Sequence, residues 1–176
     1  VQNKYLHVRE SHYINNKGQK VYTNRGADVE DIQKRSGCPL GCFWCGAYMF
    51  VLFDDMGVNP IKDLGVKNPL LVASWFGDAS KIVYRQGKGN PRVGVLPKKG
   101  DVGRMFFSHI EMYNGDDWVK DIGRRKAKFG GGNTGGGTGI HGVHITERPL
   151  SNVQFIANWI SPYYSKLKEN ESSKSK

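Results

Sequence analysis

Three cysteines, Cys38, Cys42 and Cys45, lie within eight residues of one another, and the chain has no others. A fold stapled by disulfides spreads its cysteines so that each bridge closes a long loop. Clustering of this kind points to chemistry or to a metal instead. Cys45 opens a run to Met56 that is apolar on nearly every side until Asp54, and Gly57 follows it. Such a run reads as a helix buried all round, with the glycine as its cap. A thiol in the first turn of that helix sits at the positive end of the helix dipole, which favours the thiolate. The same helix end presents free N–H groups that can hold an oxyanion.

A cysteine nucleophile also needs an imidazole. The five histidines are His7, His12, His109, His141 and His144. His109 is the best placed, because it begins a strand just after Phe106-Phe107-Ser108, on the sheet expected to pack against the Cys45 helix. His7 and His12 lie in a polar N-terminal stretch. His141 and His144 follow a glycine-rich segment and read as surface or edge residues. A third group should orient the imidazole through its other nitrogen. Asn133, one hairpin further on, is the candidate. Plainer readings stand beside these: a core cysteine, a structural strand histidine, and a Gly-Asn-Thr turn.

Two metal readings compete. Cys38-x3-Cys42-x2-Cys45 is the spacing that holds an iron–sulfur cluster in radical S-adenosylmethionine enzymes. The three thiolates plus a histidine could also bind a structural zinc. The strand-rich C-terminal half lacks the repeated strand–helix crossovers that the radical enzymes' barrel requires, and zinc leaves the later segments unexplained.

The elements that must position these groups can be read in order. Asn24-Arg25-Gly26-Ala27 offers a helix start, Asp28, Glu30 and Asp31 suit its first turns, and Gly37 suits its end. Val29 and Ile32 would face the core. Pro69 to Tyr84 reads as a second helical region broken at Gly77. Strands are expected over Val102 to Phe107, Ile110 to Tyr113, Trp118 to Ile122 and Val143 to Thr146. Asn114-Gly115-Asp116-Asp117 is a hairpin signal. Gly130 to Gly139 must be a loop, or a strand whose backbone closely approaches something. It lacks the Lys-Ser/Thr ending of a phosphate loop. Trp75, Trp118 and Trp159 read as core. Helices first and strands after imply an α+β fold, with N-terminal helices packed on an antiparallel β-sheet. Residues 1–23 read as an extension, 24–164 as the catalytic domain, and 165–176 as a disordered tail.

The formal net charge of +10 draws the chain to polyanions such as nucleic acid, anionic lipid or anionic cell-wall polymers. No nucleic-acid-binding motif accompanies the basic residues, so nucleic acid is not an expected partner. The longest apolar run, Ala47 to Phe53, is too short for a transmembrane segment. The sequence begins at Val1 without an export signal, a start compatible with one already removed.

The segments resemble one family when taken together. Trp44-Cys45-Gly46-Ala47-Tyr48 is similar to the Trp-Cys-Ala-Ala-Phe around the nucleophile of many CHAP domains (cysteine, histidine-dependent amidohydrolase/peptidase). Pro97-Lys98-Lys99-Gly100-Asp101-Val102 resembles that family's Pro-x-x-Gly-Asp-(Ile/Val) strand. His109-Ile110-Glu111-Met112-Tyr113 resembles its His-(Val/Ile)-Gly-Ile-(Val/Tyr) segment. Gly132-Asn133-Thr134 resembles its Gly-Asn-Thr, and Gly142-Val143 through Arg148-Pro149-Leu150 its closing strand. The resemblance spans roughly residues 24–160. It implies a papain-like core and a secreted, periplasmic or phage-delivered cysteine peptidase or amidase that cuts an amide bond in peptidoglycan. It implies catalytic Cys45, His109 and Asn133, substrate contacts from Trp44, Gly132 and Thr134, and action as a monomer without cofactor or metal. Many members carry an acid two places before the Asn; here that place is Gly131. No Asp-rich calcium loop precedes the cysteine. A non-catalytic wall-binding module is the remaining alternative.

Overall fold

The computed structural model describes residues 1–92, 94–135, 137 and 139–174. The chain is α+β. Four α-helices accompany a six-stranded antiparallel sheet and a separate two-stranded one. The small sheet pairs β1 (His12–Ile14) with β2 (Lys20–Tyr22). Next come α1 (Ala27–Ser36) and α2 (Cys45–Asp54). The large sheet is built from β3 (Ile82–Arg85), β4 (Val102–Met105), β5 (His109–Tyr113), β6 (Lys126–Thr134), β7 (Gly142–Pro149) and β8 (Val153–Ala157). Its strand order is β3-β8-β4-β5-β6-β7. Helix α3 (Trp118–Arg124) bridges β5 and β6, and α4 (Ile160–Lys174) follows β8.

Helix α2 is the hydrophobic centre. Ala47, Tyr48, Met49, Val51, Leu52 and Phe53 are fully buried. Each large side chain so buried contributes roughly 1.5–3 kcal/mol. The helix packs on α1 along one side and on β5 and β6 along another. Helix α1 ends as its sequence requires. Gly37 adopts the left-handed conformation, and its N–H caps the carbonyls of Gln33 and Lys34. Val29 and Ile32 are buried, as expected. Trp75, Trp118 and Trp159 are core residues too.

The structure corrects several sequence expectations. Trp118 to Ile122 forms a helix, not a strand. The Asp117 carboxylate accepts from the N–H groups of Val119 and Lys120, so the Asp-rich turn is an N-cap. The region from Pro69 to Tyr84 is not an α-helix. It holds two short 3-10 turns, Val72–Phe76 and Ala79–Lys81, and then strand β3. The N-terminal residues are no loose extension, because Tyr5 and Val8 lie in the main core. The tail from Ser165, expected to be disordered, continues α4 to Lys174 and is exposed over 165–173; the expectation for 175 and 176 lies outside the described residues.

The first half of the glycine-rich stretch, Gly130 to Thr134, belongs to strand β6, and its backbone does make close approaches; the expectation for positions 136 and 138 lies outside the described residues. A Cβ on Gly132 would stand 2.5 Å from the Trp44 ring and 2.8 Å from Tyr48 Cβ. The missing side chain is therefore what lets the sheet reach α2. Gly132→Ala should destabilise the fold by about 1–3 kcal/mol through overpacking, measured by urea unfolding. A loss below about 0.5 kcal/mol would show that the contact gives way freely.

Candidate active site

Cys45 is the first residue of α2, and its N-cap, Trp44, provides no side-chain cap. The first-turn N–H groups therefore face the sulfur and the space beside it. His109 is the first residue of β5. Ser108, immediately before it, has φ 56°, a left-handed turn that swings the chain into the strand. The fold brings the two together: Cys45 and His109 line the same groove, and each bears on the other's ionisation. Both residues are 8% exposed, so the pair is shielded from bulk water yet reachable.

The imidazole's other contact is Glu111, two residues along the same strand. His109 Nε2 lies 3.3 Å from Glu111 Oε1, off the line of a good hydrogen bond. With Nε2 turned to the carboxylate, Nδ1 is the nitrogen left for the sulfur. The Glu111 side chain is completely buried. Arg148 of β7 grips it, Nε donating to Oε2 at 3.1 Å and Nη2 to Oε1. Arg148 Nη2 also donates to Thr134 Oγ1 at 3.0 Å. Phe107 covers the group, stacked on the His109 ring with centroids 5.7 Å apart and 5.7 Å from the Arg148 guanidinium.

The electrostatics follow from this row. Burial opposes ionisation of Cys45. Its hydrogen bond and charge attraction to His109, with the N–H groups of Ile110 and Gly46, outweigh that and pull the thiol below the ordinary cysteine range. Burial likewise opposes the charged imidazole, but Cys45 and Glu111 overcome it and push His109 up to about 9. Burial raises the Glu111 carboxyl, and His109 and Arg148 more than reverse this, leaving it below its usual range. The arrangement favours a thiolate–imidazolium pair at neutral pH.

Asn133 does not reach the imidazole. With its amide oriented to suit its neighbours, it donates to Glu10 Oε1 at 2.7 Å and Asn24 Oδ1 at 3.2 Å. It accepts from the Trp44 N–H at 3.3 Å. Trp44 Nε1 also donates to Glu10 Oε1, at 2.9 Å. Glu10 and Asn133 thus clamp Trp44 by indole and backbone, and so hold the entry to α2. The position beside His109 that was assigned to Asn133 belongs to Glu111. A Cβ on Gly131 would lie 2.7 Å from Glu111 Cγ and 3.0 Å from its Oε1. The resembled family has glycine at the position of Glu111 and, in many members, an acid at that of Gly131. This chain exchanges the two, and the carboxylate arises from the neighbouring strand into the same space.

The expected substrate contacts divide as well. Trp44 is fully buried, and Gly132 is packed on it, so neither offers a surface to a ligand. Thr134 does line the groove of about 750 Å³ that opens over Cys45 and His109. Its walls are apolar: Phe43, Leu70, Leu71, Val72, Ala73 and Phe107. Phe43 is 80% exposed and Leu71 57%. His141, read as an edge residue, also borders the groove, its ring stacked on Tyr22. Sequence reasoning missed Glu10, Glu111 and Arg148. Only the unexplained acid inside the otherwise apolar β5 gave a signal.

Cys38 and Cys42 are joined in a disulfide, leaving Cys45 the free thiol. In this pairing Cys45 alone of the three is a free thiol, whereas the iron–sulfur and zinc alternatives would call on all three as thiolates. Comparison with family models, curated proteins and solved structures returns no match.

Glu111→Gln should raise the Cys45 thiol titration and lower that of His109, because the counter-charge on the imidazolium is gone. The rate of iodoacetamide alkylation against pH reads the thiol directly. A profile identical to the wild type would remove Glu111 from the electrostatic role.

Proposed function

We propose that the chain is a papain-like cysteine hydrolase that cuts an amide bond in bacterial peptidoglycan. The bond is the N-acetylmuramoyl-alanine amide or a peptide bond of the stem or cross-bridge. The observation that carries this is the meeting of Cys45, at the start of a buried helix, with His109 on one groove, the imidazole backed by Glu111. The order of the resembled segments along residues 24–160 adds the substrate class. The net charge of +10 suits work on an anionic wall. No helix among the described residues is long and apolar enough to cross a membrane.

In this mechanism the Cys45 thiolate attacks the scissile carbonyl, and first-turn N–H groups of α2 stabilise the oxyanion. Imidazolium His109 gives its proton to the leaving amine as the carbon–nitrogen bond breaks, leaving a thioester. His109, now neutral, takes a proton from water, which attacks the thioester. The carboxylic acid departs and the ion pair is restored. Glu111 keeps the imidazole oriented and supports its charge throughout.

Digestion of purified walls, followed by mass spectrometry of the fragments, tests the reading. Cys45→Ala should abolish release of fragments, and the new termini identify the bond. Release unchanged in Cys45→Ala would remove the thiol from the role. Binding of the wild type to walls without release would favour a wall-binding module. The pH profile should be a bell. Activity is lost at the acid limb as the thiolate protonates, below the ordinary cysteine range. It is lost at the alkaline limb, near 9, as His109 gives up its proton. Glu111→Gln should bring the alkaline limb to lower pH; an alkaline limb that stays in place would contradict the assignment.

A further inference from the structure

Arg104 of β4 is the one charged side chain bordering the groove that the mechanism leaves unused. Its Nε is buried and has no hydrogen-bond partner, and no acid is paired with the guanidinium among the described residues. A buried donor such as this Nε is costly to leave unpaired, while Arg104 as a whole is only half-buried. In a groove with apolar walls it calls for a complementary anion. The neighbouring strands repeat the feature. In register, Arg104 stands opposite Phe155 of β8, and Phe155 stands opposite Arg85 of β3. Directly opposed residues share a sheet face, so the three side chains form a row about 10 Å long. The Arg85 guanidinium lies 5.0 Å from the Phe155 ring centroid. Arg85 too has no ion-pair partner among the described residues. The row extends positive charge outward from the catalytic groove.

We propose that Arg104 is the anchor of a carboxylate subsite. It reads a free carboxylate on the peptide being cut, and Arg85 extends the attraction along the same face. A guanidinium matches a carboxylate through parallel N–H donors, which fixes the ligand's direction as well as its charge. The apolar walls formed by Leu70, Leu71 and Phe107 would take the aliphatic part of the same peptide. The substrate class is thus an acidic peptide, not merely any amide. This rests on the hydrolase reading above, and its test is separable from it.

The probes are soluble muropeptides from purified walls, either native or with their carboxyl groups amidated by carbodiimide and ammonia. Amidation neutralises carboxylates and leaves phosphodiesters charged, so it separates peptide acids from wall-polymer phosphate. Binding is measured by calorimetry on Cys45→Ala, which cannot turn the probe over. Native muropeptides should bind about 10- to 100-fold more tightly than amidated ones. Arg104→Met in the same background should remove that ratio. Arg104→Gln, closer in shape and polarity, serves where the methionine variant does not fold and should remove it too. Equal affinities for the two probes overturn the subsite, as does a ratio that survives both Arg104 changes. Wall cleavage by the protein with Cys45 intact is recorded separately. Cleavage with equal affinities removes the subsite and keeps the hydrolase. A ratio that the Arg104 changes remove, without cleavage by the protein with Cys45 intact, removes the hydrolase and keeps the subsite.

Discussion

A row of alternating charges runs through the middle of this molecule: the Cys45 thiolate, the His109 imidazolium, the Glu111 carboxylate and the Arg148 guanidinium. Each member has its main partner inside the row, and Glu111 has no exposed side-chain surface at all. In a poorly polarisable interior such groups are tolerated only as a set, because removing any one leaves its neighbour buried and unpaired. That constraint decides much else. Strands β5, β6 and β7 must lie side by side so that residues from three separate segments meet. Helix α2 must end at the row, so that its dipole and its first N–H groups act on the sulfur.

Close approach of neighbouring groups to glycine backbone makes this possible. Gly46 meets the carbonyl of Leu70, Gly131 meets Glu111, and Gly132 meets the ring of Trp44. Each of these sites would be filled by a single extra carbon. The glycines of β6 are therefore a packing device. They bring the sheet against α2 and leave a slot for one carboxylate. Asn133, with φ 58°, ends the slot at a bulge in the β6–β7 pairing. It turns its amide to Trp44 and Glu10 instead of the imidazole. The N-terminal residues complete the arrangement, since Glu10 is the acid to which that amide and the Trp44 indole are tied.

Much of this was legible along the chain. Helices α1 and α2 announced themselves by periodicity, acidic first turn and terminal glycine, all local signals. The Cys45–His109 pairing followed from a buried-helix start and a strand start. The Asp-rich turn before Trp118 was ambiguous, because the same residues open hairpins and cap helices; only packing against β6 selects the helix. The third member of the site was misassigned for a related reason. Glu111 lies two residues along the strand from His109 and Asn133 on the neighbouring strand, and the choice depends on which side chain finds room.

By itself, the sequence determined the composition of the site: one thiol heading an apolar helix, one histidine heading a strand, and a glycine run that had to be a loop or a closely approached strand. These properties reside in single residues and their near neighbours. The tertiary structure alone decided the partnerships. The empty Gly131 position admits the Glu111 carboxylate, and Arg148 neutralises it from another strand. Such choices depend on distances between segments far apart in the chain. Those distances exist only once strand register and helix packing have been set.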